Sequence, residues 1–200
     1  MSESYWFALP ALTAILIQGW LFLNSDKRNL IKSNLPLLLL FISLLGISCI
    51  ELFTYTKSLS PNLFVVKLYY VFCSLGLNGI LIQSFVLSSI KPTLEKQAVI
   101  GITSFGIIVS FLLVTNNLFI SGFEYISYSY TRVPGNFYWF IQLYFVFSII
   151  FTIFFLIRGM KNKNNFLYSK KAKVLFYSLS PLLITGILLI PVMQAGVKIN

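Results

Sequence analysis

Histidine is absent from the 200 residues, the acidic residues number only five and the cysteines two. Without His there is no His-ligated zinc, no imidazole base and no HExxH helix, which removes most metalloprotease chemistry. The scarcity of charge is equally restrictive. The chain is 10% charged and 58% hydrophobic, where soluble domains run at about 25% and about 45–50%, so a water-soluble fold is excluded. No glycine loop cradles phosphate, no GxSxG elbow appears and no acidic cluster invites a metal. No enzyme, cofactor or metal site is expected within these residues. Cys49 and Cys73 fall inside apolar runs and read as small core residues rather than a disulfide pair.

What is present is a series of apolar blocks. A bilayer core takes about 20 apolar residues per helix, and six blocks meet that length: Tyr5 to Leu23, Leu35 to Thr56, Phe64 to Ser89, Gln97 to Thr115, Phe137 to Ile157 and Val174 to Ala195. Each is expected to be a helix, because a lone strand in lipid leaves its backbone unpaired, and the runs are continuous rather than alternating. The first block has no basic stretch before it and no small-residue cleavage pattern after it, so it reads as a retained span. The fold class is therefore all-α, a polytopic transmembrane bundle of six spans forming a single membrane domain over residues 1–200.

The net charge of +10 suggests nucleic acid until the basic residues are located. They sit between apolar blocks, and no nucleic-acid fold signature accompanies them, so the partner they imply is anionic lipid. Most lie in alternate loops: Lys27, Arg28 and Lys32; Lys91 and Lys96; then Arg158, Lys161, Lys163, Lys170, Lys171 and Lys173. By the positive-inside rule these loops are cytoplasmic and the N-terminus is outside. Attraction to anionic headgroups at Lys161, Lys163, Lys170, Lys171 and Lys173 is worth about 1 kcal/mol for each residue near the surface. Six crossings then return Asn200 to the outside, as if a seventh helix were due next.

Glu51 is a carboxylate at membrane depth, a functional candidate by default. Its expected partner is Lys67, early in the next span; the pair either pins the hairpin of spans or meets a ligand. Asn78, Gln83, Gln18 and Gln142 are candidates for interhelical hydrogen bonds, worth about 0.6 kcal/mol each on average. Gly76, Gly79, Gly101 and Gly106 are expected to let helices approach closely. The fourth connection, about residues 116–136, is long for a bundle and holds Glu124, Tyr125, Tyr128, Tyr130 and Arg132. These residues form an interfacial aromatic belt or an outward-facing ligand pocket. The candidate ligand contacts are Glu51, Lys67, Tyr125, Tyr128, Tyr130 and Arg132.

The runs Glu51-Leu52-Phe53-Thr54-Tyr55, Lys67-Leu68-Tyr69-Tyr70, Thr115-Asn116-Asn117-Leu118, Pro134-Gly135-Asn136-Phe137-Tyr138-Trp139 and Leu179-Ser180-Pro181-Leu182 together resemble the N-terminal seven-helix sensor region of bacterial histidine kinases. The resemblance implies a sensory, signal-receiving bundle in the bacterial inner membrane. It also implies a seventh helix and a cytoplasmic transmitter beyond the chain, an unidentified small ligand and a homodimer. Size and span number also suit a different protein, a free-standing six-helix transporter component such as the substrate-binding subunit of a vitamin-uptake system.

Overall fold

The computed structural model describes residues 8–24, 35–55, 62–88, 93–126, 129–162 and 166–194. Along them run α1 (Ala8–Asn24), α2 (Leu35–Tyr55), α3 (Leu63–Ser88), α4 (Thr93–Thr115), strands β1 (Ile120–Ile126) and β2 (Ser129–Pro134), α5 (Tyr138–Met160) and α6 (Phe166–Gln194). Every apolar block has become a helix. Four stretches, Leu35–Thr54, Leu63–Ser88, Leu94–Thr115 and Tyr138–Met160, are long and apolar enough to cross a membrane, while Ala8–Trp20 is apolar but shorter.

Helix α3 is the centre of the bundle. It packs against α2, α4, α5 and α6 and touches β1, while α1 lies on α2 and α6 lies on α5. Its mean hydropathy, 1.7, is the lowest of the four long stretches, and half of its apolar window is buried. The two facts belong together: a helix surrounded by protein can carry polar side chains that a lipid-facing helix cannot. Helix α4, with mean hydropathy 2.3 and 22% of its window buried, turns Ile100, Ile107, Ile108 and Phe111 outward.

Close approach depends on two glycines in particular. A Cβ on Gly79 would stand 2.6 Å from the Pro36 carbonyl oxygen and 3.0 Å from the Leu40 nitrogen, so α2 backbone lies directly against α3. A Cβ on Gly106 would stand 2.5 Å from the Tyr144 ring. Gly101, expected to serve the same purpose, meets nothing within 4 Å and lies on the exposed side of α4.

Two elements differ from the expectation. The connection between α4 and α5 is an antiparallel β-hairpin rather than a loop, with Gly122 opposite Val133, Phe123 opposite Arg132, Glu124 opposite Thr131 and Tyr125 opposite Tyr130. Its content of Ile, Phe, Tyr, Thr and Val favours strands, and its base supplies a reason to order. Phe119 and Ile120 are buried among Val66 of α3, Val109 and Leu113 of α4, and Ile141 of α5. The register shifts between Ile120 and Gly122, where the Ser121 hydroxyl lies 3.3 Å from the Val133 carbonyl and 3.2 Å from that of Pro134. The second difference is α6, which begins at Phe166 and so takes Lys170, Lys171 and Lys173 onto its exposed first turns. Lys is a good helix former, and the Ser169 hydroxyl anchors this turn to the Met160 carbonyl at 2.7 Å.

Candidate functional site

At the hairpin end, α3 presents Lys67, Tyr70 and Ser74 at three- and four-residue spacings, which places them along one side of the helix. Lys67 is only 5% exposed. Its ammonium donates to the Asn116 carbonyl at 2.6 Å and to Asn117 Oδ1 at 2.7 Å. A buried cation must be hydrogen-bonded, and here the neck of the hairpin supplies the acceptors. The Asn116 side chain helps to present them, since it accepts the Leu118 N–H at 3.1 Å and so turns the chain out of α4.

The neck is closed by two backbone bonds, Gly135 N–H to the Phe119 carbonyl at 2.9 Å and Phe137 N–H to the Leu118 carbonyl at 3.0 Å. Gly135 sits so tightly on the Leu118 carbonyl that a Cβ would overlap it. One turn beyond Lys67, the Tyr70 and Tyr138 hydroxyls lie 3.1 Å apart. Arg132 of β2 joins them, with Nε donating to the Tyr138 hydroxyl at 2.8 Å and the guanidinium carbon 5.1 Å from the Tyr138 ring centroid and 5.8 Å from that of Tyr70. Charge, hydrogen bond and ring contact together hold β2 against α3 and α5.

The sequence-based pairing of Glu51 with Lys67 does not form. Glu51 instead lies 3.5 Å from the Tyr69 hydroxyl, at the outer limit of a hydrogen bond. The reason is angular: residues 67 and 69 are about 200° apart around a helix, so Tyr69 faces α2 while Lys67 faces the hairpin. An ion pair does form at the other end of the bundle, where Arg158 meets Glu95 at 2.6 Å, the two side chains being 47% and 23% exposed.

Lys67 and Arg132 therefore meet one neighbourhood, through Tyr70. Tyr125 and Tyr130 are cross-strand partners, and Tyr128 lies outside the described residues. Of the lipid-facing candidates, Lys161 caps α5, Lys170, Lys171 and Lys173 are exposed on α6, and Lys163 lies outside the described residues. Tyr138 is taken by Arg132 and Tyr70; its neighbour Trp139 is 46% exposed and stacks on Phe140 at 3.7 Å between centroids.

Deeper in the bundle a second polar group binds three helices. Tyr144 of α5, 1% exposed, has its hydroxyl 2.8 Å from Asn78 Oδ1 and 3.0 Å from the Ser74 carbonyl on α3. The Ser74 hydroxyl lies 3.2 Å from the Gly106 carbonyl of α4. Asn78 thus makes the interhelical bond expected of it, whereas buried Gln18 Oε1 has no partner among the described residues. Sequence reasoning missed Tyr144, one aromatic in a span crowded with phenylalanine; its four-residue spacing from Ser148 and Thr152 was the available signal.

Apolar helices of crossing length around a polar centre define a multi-pass membrane protein. The chain belongs to the family described as the N-terminal 7TM region of histidine kinase, whose family model matches residues 7–199. It is accordingly a membrane sensor region associated with histidine kinases. Neither a curated protein nor a solved structure matches the chain.

Proposed function

We propose that the chain is the signal-reception part of a bacterial receptor of the histidine-kinase type, a single domain in the inner membrane with no catalysis of its own. It crosses the membrane six times from an outside N-terminus, which puts the hairpin outside. Supporting this orientation, the exposed Lys161, Lys170, Lys171 and Lys173 lie at the end of α5 opposite the hairpin, where the positive-inside rule requires them. There, with Lys163, they meet anionic headgroups.

The observation that carries the reading is the fastening of the hairpin. It is joined to α3 through Lys67 and to α5 through Arg132 and Tyr138. A ligand or envelope condition that favours one position of the hairpin thereby favours one arrangement of two membrane helices, which is the differential interaction a signal requires. Glu51, Tyr125, Tyr128, Tyr130 and Arg132 are the proposed ligand contacts, with Lys67 holding the neck, and the receptor works as a homodimer. The test is the output of the full-length receptor carrying Glu51→Gln or Arg132→Ala. A changed output or response is expected; parental output from both variants would contradict the assignment.

A further inference from the structure

Helices α5 and α6 touch and then part. A Cβ on Gly159 would stand 3.1 Å from the Ala172 Cβ, and Ala172 is wholly buried there. Toward the turn that joins the two helices they leave a cavity of about 520 Å³, lined by Met160, Lys161, Asn162, Phe166 and Ser169. That volume falls in the range of about 300–1,000 Å³ in which small-molecule sites lie. The walls are tied together. The Lys161 and Asn162 N–H groups donate to the Arg158 and Gly159 carbonyls, each at 3.2 Å, and the Ser169 hydroxyl fastens α6 to the Met160 carbonyl at 2.7 Å.

Depth and chemistry point to what fills it. Helix α5 has 23 residues, about 34 Å of helix against a hydrocarbon core of about 30 Å, so its end and the cavity reach the headgroup layer. Lys161 brings a cation to the lining, Asn162 and Ser169 bring polar groups, and Met160 and Phe166 bring apolar surface. Phe166 is 81% exposed and Leu167 is 56% exposed, one turn before the exposed Lys170 and Lys171. Large apolar side chains standing open beside cations suit the boundary between headgroups and acyl chains. The charge is also unbalanced. Of the described carboxylates only Glu95 lies at this end, and Arg158 holds it at 2.6 Å, so Lys161, Lys170, Lys171 and Lys173 have no acidic partner among the described residues.

We propose that the cavity between α5 and α6 is a discrete site for one anionic phospholipid. Its phosphate lies against Lys161 and Asn162, and its glycerol and upper acyl carbons lie against Met160 and Phe166. A free phosphate would offer the same charge, but the apolar half of the lining and the depth of the cavity favour the lipid. The inference rests on the proposed contact of these lysines with headgroups and deepens it, replacing a diffuse surface attraction with one saturable position.

The test is native mass spectrometry of the chain in a neutral detergent with added phosphatidylglycerol, phosphatidylcholine or inorganic phosphate. One phosphatidylglycerol per chain should bind saturably and in preference to phosphatidylcholine. Lys161→Gln should weaken its binding about fivefold, the share of one cation near the surface. Lys173→Gln removes the same charge away from the cavity and should leave binding unchanged. Equal weakening by the two variants, or by neither, overturns the proposal. Displacement of the lipid by inorganic phosphate overturns it too, since the occupant is then a free anion. Should Lys161→Gln not fold, a photoreactive phosphatidylglycerol decides the matter on the parent chain. Label concentrated in residues 160–169 is expected, and label spread evenly along residues 160–178 overturns the proposal. None of these measurements needs an output domain, so a failure here leaves the sensor reading standing, and a failure of the sensor reading leaves the lipid result intact.

Discussion

The ammonium of Lys67 on α3 reaches across 49 residues of sequence to the Asn116 carbonyl, at 2.6 Å, and this bond with its companion to Asn117 makes the hairpin part of the bundle. The cation is almost wholly buried and its acceptors are neutral, so its contribution lies in directed hydrogen bonds.

Lys67→Met keeps an unbranched side chain of nearly the same length and removes both bonds. A hydrogen bond to a charged group contributes about 1.5–3 kcal/mol, and the Asn116 carbonyl loses its donor. We expect a fall in stability of about that size. Faster hydrogen exchange should be confined to residues 116–137 and detected by mass spectrometry.

Arg132→Lys keeps the charge but loses the planar guanidinium and the Nε donor to Tyr138. Arg and Lys are not equivalent at a site that combines ring contact with a fixed donor. A loss of about 1 kcal/mol is expected. Tyr138→Phe, which removes the acceptor, should cost about the same. The double variant should cost little more than either single one, a non-additivity that a thermal-unfolding cycle would detect.

The glycines separate by what faces them. Gly79→Ala drives a methyl into the backbone of α2 at Pro36 and Leu40, and overpacking against a part that cannot rotate away costs about 1–3 kcal/mol. Gly101→Ala meets nothing and should stabilise by up to about 1 kcal/mol through helix propensity alone. Unfolding midpoints of the two variants in the same lipid should move in opposite directions.

Glu95→Gln breaks the ion pair with Arg158. With the two side chains 23% and 47% exposed, screening by solvent and salt leaves about 0–1 kcal/mol. The change in midpoint should be small and should shrink further at high ionic strength.

The helices were legible because uninterrupted apolar runs of membrane length have one solution in lipid, and each block from Leu35 onward is found within a few residues of its expected bounds except the start of α6. The hairpin was less legible. Its Ile, Phe, Tyr, Thr and Val residues also fit an interfacial belt, and the sequence from 120 to 134 contains no Asn-Gly or Asp-Gly pair to announce a hairpin. The partner of Lys67 was not legible at all, because it depends on which way α3 is rotated. Glu51 and Lys67 have the right spacing for a pair across two adjoining helices, but Lys67 turns to the hairpin and leaves Tyr69 facing α2. Asn78 stood out as a polar residue in an apolar span, whereas its partner Tyr144 did not.

The most direct test of the account is the output of the full-length receptor carrying Lys67→Met, compared with hydrogen exchange of its hairpin. If the hairpin is the input that acts on α3 and α5, loosening it will shift the basal output and abolish the effect of Arg132 substitutions. A hairpin shown by exchange to be loosened, with output and response still parental, would contradict the account.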